Sequence, residues 1–217
     1  MCSSDLWLRA YAAATATNTS YEGIRDAATP GQSDKLAKST AGPYRDTLTN
    51  LWIVEPVPGW TSTRNHLARL TIAPKHHLAD PCLAARLLGV GTSALLDGES
   101  GGVAVPRDGT LLGALFESLV TLNVRVYAQA SEAAVSHFRT KAGDREIDLI
   151  VSRDDQRVLA LEVKLSTSVT DADVRHLRWL QEQLGPDLLD AAVITTGTDA
   201  YRRRDGIAVI PASLLGP

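Results

Sequence analysis

The 217-residue sequence has two cysteines, two phenylalanines and one methionine, and only 5% of its residues are aromatic. Cys2 and Cys82 are too few for a disulfide framework or a cysteine zinc site, so we expect the reducing cytoplasm as the location. No stretch approaches about 18 uninterrupted apolar residues, and no basic segment precedes the apolar residues of the N-terminus. We therefore expect no transmembrane helix, no signal peptide and no membrane partner.

The sequence also lacks a strong excess of either charge. Its 22 Lys and Arg residues face 25 Asp and Glu residues, so the net charge is −3. Hydrophobic residues make up 44% and charged residues 22%, which excludes a disordered chain, a collagen-like repeat and a coiled-coil rod. Residues 1–98 carry nine basic and eight acidic side chains, and residues 99–217 carry thirteen and seventeen. Neither half resembles a dedicated nucleic-acid binder, so contact with a polyanion needs a local patch or a metal ion.

A phosphate-binding loop of the form G-x-x-x-x-G-K-[ST] is missing, so we expect no ATP site and no ATPase activity from this chain. The clearest break in the pattern is a Gly/Ser/acid cluster at residues 97–102. We predict a first module at 1–96, a linker at 97–108 and a second domain at 109–217.

The first module has helical patterns at residues 6–16, 21–28 and 39–52, two extended segments at 53–57 and 67–72, and a further helix at 82–88. Three helices followed by a β-ribbon are typical of a winged helix. DNA contact would use the third helix and the ribbon, but the net charge of only +1 over residues 1–98 is too small for strong attraction to DNA, and a protein-docking role stays open. The residues available for DNA contact are Thr40, Arg45, Asp46, Arg64 and Arg69.

The second domain has a clearer α-β-β-β-α-β-β order. Its predicted helices are residues 111–127 and 171–184, the latter capped by Thr170. Its predicted strands are residues 135–140, 146–152, 158–166, 191–195 and 207–210. The whole chain is therefore expected to be an α/β (α+β) protein.

Charged residues interrupt two of these apolar strands. Alternation places Glu162 and Lys164 on one face of a strand, and Asp148 can lie beside that face if the two strands pair through their short turn. Two nearby carboxylates repel each other, and a bound Mg²⁺ or Mn²⁺ removes the conflict because hard cations take carboxylate oxygens as ligands. We predict metal ligation by Asp148, Glu162 and the carbonyl of Val163. Lys164 would then orient water or stabilise charge on a reacting phosphate.

Simpler interpretations stay open for each motif. Glu162 and Lys164 can form a surface ion pair with Asp148 unrelated to them. His76 and His77 alternate across an extended segment, so they are not expected to share one metal ion. The basic run at residues 202–204 can touch phosphate, although a solvated loop is the simpler interpretation.

Several segments resemble the C-terminal region of bacterial and archaeal AAA-type ATPases, known as domain of unknown function family number 4143. In that family an ATPase module precedes a winged helix and a PD-(D/E)XK restriction-endonuclease-like domain. The matching segments are Leu51-Trp52-Ile53-Val54-Glu55-Pro56, Leu78-Ala79-Asp80-Pro81-Cys82-Leu83-Ala84-Ala85, Leu112-Gly113-Ala114-Leu115-Phe116-Glu117, Asp144-Arg145-Glu146-Ile147-Asp148 and Leu161-Glu162-Val163-Lys164.

The resemblance implies a nuclease-like site at Asp148, Glu162 and Lys164. Glu117 matches the acidic position on the first helix of the nuclease core, where the superfamily often adds a metal ligand or positions a water. The family's ATPase module is absent from this chain, so the resemblance implies either an ATPase partner or a missing N-terminal ATPase module.

Three hypotheses follow from the sequence. One is a Mg²⁺- or Mn²⁺-dependent DNA nuclease with Asp148, Glu162, Lys164 and Glu117 as catalytic residues. Another is a non-catalytic DNA-binding or protein-interaction module that works with an ATPase. A transcription regulator that uses the winged helix is a weaker third hypothesis.

Overall fold

The structure is a computed structural model that describes residues 3–29, 38–61, 72–96, 99–100, 103–104, 109–140 and 142–216. Its contacts divide the chain into two compact units. The first consists of Met1–Val57 and Ala73–Ser118, and the second of Pro58–Ile72 and Leu119–Pro217. This division differs from the predicted one in two ways. It assigns residues 58–72 to the second unit, and its later boundary lies between Ser118 and Leu119, inside a helix, rather than at residues 97–108.

The first unit is mainly helical. Ser20 caps its second helix by accepting a hydrogen bond from the Gly23 N–H, and Asp80 caps the fourth through the Cys82 N–H. Residues Glu99–Ser100 (β1) and Val103–Ala104 (β2) form a small antiparallel pair within the predicted linker. The helices are Ser3–Ala13 (α1), Tyr21–Ala28 (α2), Lys38–Asn50 (α3), Pro81–Leu87 (α4), Thr92–Leu96 (α5) and the N-terminal part of Gly109–Ala130 (α6).

Burial of large apolar side chains holds these helices together. Trp7 and Tyr11 of α1 pack with Ile24 of α2, Leu78 and Leu115 in one buried cluster. Such burial contributes about 1.5–3 kcal/mol per large side chain.

The extended pair of the first unit differs from the predicted ribbon. Val54 and Val57 bridge antiparallel to Leu78 and Lys75, and His76 bridges to Thr17 on its other side. The predicted second ribbon strand, residues 67–72, lies outside the described residues except for Ile72. The winged-helix assignment therefore stays a prediction.

The second unit is built on a six-stranded mixed sheet with the order β3-β4-β5-β6-β8-β7. Strands β3, β4 and β5 are antiparallel neighbours, β5, β6 and β8 are parallel, and β7 returns antiparallel to β8. The strands are Ala134–Arg139 (β3), Glu146–Ser152 (β4), Val158–Lys164 (β5), Leu188–Thr195 (β6), Tyr201–Arg202 (β7) and Ala208–Pro211 (β8).

Helix Arg175–Leu184 (α7) connects the parallel strands β5 and β6. Its Leu177 and Leu180 are fully buried against Ile150, Ala160 and Val193 of the sheet. The helix begins four residues later than predicted because Thr170 binds the Asp173 carboxylate in a turn instead of capping the helix. The mixture of helices and sheet confirms the α/β class.

Helix α6 is long and apolar. An 18-residue window within Thr110–Ala130 has a mean hydropathy of 1.3, and 33% of that window is buried. Length and composition alone would allow this helix to cross a membrane. The core helix of a soluble protein has the same properties, so the finding is weak evidence against the expectation of no membrane helix.

Candidate active site on strands β4 and β5

The pairing of β4 with β5 brings Asp148 and Glu162 onto neighbouring strands. The antiparallel register runs from Ser152↔Val158 to Leu149↔Leu161, so the next position in each strand is Asp148 and Glu162. Both residues are buried, with 9% and 7% of their surfaces exposed. The register therefore places the two acids at opposite positions on neighbouring strands, as the sequence predicts.

The Asp148 side chain accepts a hydrogen bond from the backbone of the neighbouring strand at this end of the hairpin. Its Oδ2 accepts a hydrogen bond of 2.9 Å from the Val163 N–H. The N–H and C=O of one strand residue point to the same side, so the Val163 carbonyl also faces β4 and not β6. The carboxylate of Asp148 and the Val163 carbonyl thus lie on the same side of β5.

Lys164 lies beside the two acids. Its Nζ donates a hydrogen bond of 2.8 Å to Glu162 Oε1, as alternation along the strand predicts. Burial disfavours the charged lysine, but the carboxylates of Glu162, Asp148 and Asp173 outweigh it and raise the Lys164 pKa above its usual range. Lys164 therefore remains a cation at neutral pH.

Asp173 is a site neighbour that the sequence patterns did not indicate. It lies in the turn before α7, where its Oδ2 accepts hydrogen bonds from the N–H and the hydroxyl of Thr170. Burial raises the Asp173 pKa, but these hydrogen bonds and the charges of Lys164 and Arg203 lower it overall. A third carboxylate therefore acts on Lys164, although its position was predicted to be the first turn of a helix.

The oxygen atoms at this site are suitable ligands for a hard cation, but they are few in number. Two buried carboxylates and one carbonyl are oxygen ligands of the kind that Mg²⁺ binds together with several waters. Within the described ranges, no group of three or more His, Cys, Asp and Glu side chains is arranged to hold a metal ion. Metal binding by Asp148, Glu162 and Val163 would therefore depend on water for the remaining ligands.

Glu117 pairs with a lysine, a contact that the sequence patterns did not indicate. It lies in the first unit, where its Oε1 accepts a hydrogen bond of 2.8 Å from Lys75 Nζ. The Lys75 side chain is only 2% exposed and that of Glu117 16%. An acid held by a buried lysine is a poorer metal ligand than one that faces other acids, so the geometry favours a structural role for Glu117.

The adjacent histidines face opposite sides, as expected. His76 Nε2 is 2.8 Å from the Thr19 carbonyl oxygen, and His77 Nδ1 is 3.2 Å from Ser118 Oγ. Burial lowers the His76 pKa, although the hydrogen bond to Thr19 raises it in part. Each ring therefore serves a separate buried contact of the first unit.

Two of the three consecutive arginines at 202–204 are committed to contacts within the chain. Arg202 pairs with both oxygens of Asp190, and Arg203 pairs with Asp171 and Asp205. These pairs leave Arg202 and Arg203 few donors for phosphate. In the first unit, Arg45 lies 4.5 Å from the centre of the Tyr21 ring and pairs with Asp46, while Arg64 and Arg69 lie outside the described residues.

The fold and the site together define a mixed α/β protein with paired buried carboxylates and a lysine on adjacent strands. Residues 112–215, which include all three groups, match the model of a family described as a domain of unknown function (DUF4143). Residues 4–94 match a second model, described as a domain of unknown function (DUF8612). No curated protein matches the chain.

The resemblance to domain of unknown function family 4143 is thereby confirmed for residues 112–215. Neither family description names an activity. The ATPase context and the PD-(D/E)XK assignment therefore stay predictions.

Proposed function

We propose that the second domain is PD-(D/E)XK nuclease-like and hydrolyses phosphodiester bonds in DNA with Mg²⁺ or Mn²⁺. The observation that carries this proposal is the convergence of three charged groups at one end of the β4–β5 hairpin. Asp148 and Glu162 are both buried there, and Lys164 is hydrogen-bonded to Glu162. Buried acids on adjacent strands are costly without compensation, which favours a functional reason for them.

Asp148, Glu162 and the Val163 carbonyl would hold the cation in this proposal. When bound, the cation supplies charge neutralisation and lowers the pKa of water. The order of elements also supports the assignment, because α6, β3, β4, β5, α7 and β6 follow the α-β-β-β-α-β order of the nuclease core.

The electrostatics define what Lys164 can do. Three carboxylates raise its pKa, so at neutral pH it carries a proton and cannot act as a general base. Its role would be to donate hydrogen bonds to water or to a phosphate oxygen as negative charge develops. Glu162 would keep the ammonium directed toward the reacting group through their hydrogen bond.

Plasmid cleavage with Mn²⁺ tests the proposal. Asp148→Asn should abolish cleavage while the asparagine oxygen can still accept the Val163 N–H, so the fold is kept. Asp154→Asn is a matched control, since Asp154 is exposed in the turn between β4 and β5. Equal cleavage by the native chain and Asp148→Asn would reject the assigned site, and absence of Mn²⁺-dependent cleavage by the native chain would reject the nuclease.

The second candidate function is a non-catalytic DNA-binding or protein-interaction module that works with an ATPase partner. One observation favours it: Lys164 neutralises Glu162, so the pair can be stable without a metal ion. The two candidates differ in Mn²⁺ affinity, which the nuclease requires and the interaction module does not.

A further inference from the structure

Arg145 lies over an aromatic stack next to the start of strand β4. Its Cζ lies 4.6 Å from the centre of the Trp179 ring, and Trp179 stacks on Phe138 with a centroid distance of 5.7 Å. The carboxylate of Asp144 is 3.8 Å from Arg145 Nε, too far for a hydrogen bond. Asp144 is therefore an ion-pair partner without a hydrogen bond, and the Arg145 guanidinium N–H groups stay available.

Arg175 is oriented in a similar way by a histidine. Its Nε donates a hydrogen bond of 2.9 Å to His176 Nε2, and His176 Nδ1 lies 2.7 Å from the Glu146 carbonyl oxygen. The Glu146 N–H is also 3.4 Å from Nδ1, but the shorter contact with the carbonyl, which only accepts, favours the tautomer with the proton on Nδ1. Nε2 then accepts from Arg175. Within the described part of the unit, His176 is the sole polar partner of the Arg175 guanidinium.

Helix geometry places the two arginines together. Arg175 and Trp179 are four residues apart on α7 and share one face of the helix, and Arg145 lies on Trp179. Arg145 directly precedes β4, three residues before Asp148. Both guanidiniums therefore lie at the end of the hairpin that carries the candidate site.

Four other arginines of the second unit pair with carboxylates. Arg153 and Arg157 pair with Asp155, Arg202 pairs with Asp190, and Arg203 pairs with Asp171 and Asp205. A guanidinium that is paired with a carboxylate must break that ion pair before it can bind phosphate. Arg145 makes a long ion pair of 3.8 Å with Asp144 without a hydrogen bond and lies on the Trp179 ring, while Arg175 gives its Nε–H to His176 and keeps its terminal N–H groups.

We infer that Arg145 and Arg175 contact the phosphate backbone of DNA and hold it beside Asp148. The inference rests on the proposed function in taking DNA as the polyanion, but it concerns binding and not cleavage. Because residues 99–217 carry a net charge of −4, these local contacts must supply much of the attraction. Each arginine that meets a phosphate releases about one counterion, so its loss should lower the salt dependence of binding by about one unit.

Fluorescence anisotropy of a labelled DNA duplex, measured across a salt series in EDTA and in Ca²⁺, tests the inference. Arg145→Ala and Arg175→Gln should each weaken binding several-fold and reduce the salt slope. Arg145→Lys should keep the slope and lose part of the affinity, because the charge remains and the planar fork does not. Arg153→Ala removes the same charge at the far end of the β4–β5 hairpin and should bind as the native chain does.

The outcomes separate this inference from the nuclease. Native-like binding by both Arg145→Ala and Arg175→Gln overturns it, as does an equal loss in Arg153→Ala or no binding of DNA by the native chain in either buffer. Weakened binding with no Mn²⁺-dependent cleavage by the native chain supports the DNA contact and rejects the nuclease. Circular dichroism of every variant identifies loss of fold. If Arg145→Ala does not fold, the affinity and salt slope of Arg145→Lys test the phosphate contact of Arg145 instead.

Discussion

Asp148 Oδ2 accepts a hydrogen bond of 2.9 Å from the backbone N–H of Val163 on the neighbouring strand. This contact ties a candidate metal ligand to the backbone between the other two site residues, Glu162 and Lys164. Side-chain position and strand pairing are thereby coupled, and a substitution at Asp148 affects stability according to whether the new side chain can accept this hydrogen bond.

Asp148→Asn should be nearly as stable as the native chain, because its amide oxygen can replace Oδ2. Asp148→Ala leaves the Val163 N–H without this acceptor in a buried place, which costs about 1–3 kcal/mol. Urea unfolding of both variants measures the difference. Equal stability of the two would show that the hydrogen bond is unimportant.

Lys164 should contribute to stability in a pH-dependent way. Its folded pKa is raised above the usual value of 10.5, so the ammonium stabilises the fold fully below that pH and less as the pH rises through the folded pKa. The stability difference between the native chain and Lys164→Met should therefore be constant near neutral pH and shrink above about pH 10.5. Thermal unfolding of both proteins across this range measures it, and a difference that grows with alkalinity has the wrong sign.

The buried Lys75–Glu117 pair should show strong coupling. Glu117→Leu removes this ion pair from the buried lysine and is expected to cost about 3–5 kcal/mol, and Lys75→Met is the other single variant of the cycle. The double variant Lys75→Met/Glu117→Leu should recover most of that loss, because it buries no uncompensated charge. A double-mutant cycle from denaturant unfolding measures the coupling, and additive losses would contradict a direct interaction.

Leu177 anchors α7 to the sheet and is fully buried. Leu177→Ala should destabilise the second unit by about 2–5 kcal/mol, since it leaves a cavity against the strands. Gln183→Ala on the exposed side of the same helix is the control and should stay within about 0.5 kcal/mol of the native chain. Similar losses in both variants would contradict the claim that the packing of Leu177 holds α7 on the sheet.

Local patterns predicted the hairpin and its charged groups well. The apolar strands around Asp148 and Glu162 and the short turn between them specify pairing, and alternation places Lys164 beside Glu162. The polar positions that interrupt the apolar runs therefore predict where these charged side chains lie on the two strands.

Contacts between distant segments were not predictable in the same way. Lys75 and Glu117 are 42 residues apart, and no periodicity relates an extended segment to a helix at that distance. The two-residue strand Tyr201–Arg202 is too short to show alternation. Asp173 was assigned to a helix because acids favour first turns, whereas its hydrogen bonds with Thr170 hold it in the preceding turn.

The central claim is that Asp148 and Glu162 hold one divalent cation, and Mn²⁺ titration calorimetry tests it most directly. The native chain should bind one Mn²⁺ per molecule, Asp148→Asn and Glu162→Gln should each lose that binding, and the exposed-turn control Asp154→Asn should retain it. Absence of Mn²⁺ binding by the native chain, or unchanged binding in both site variants, would contradict the claim.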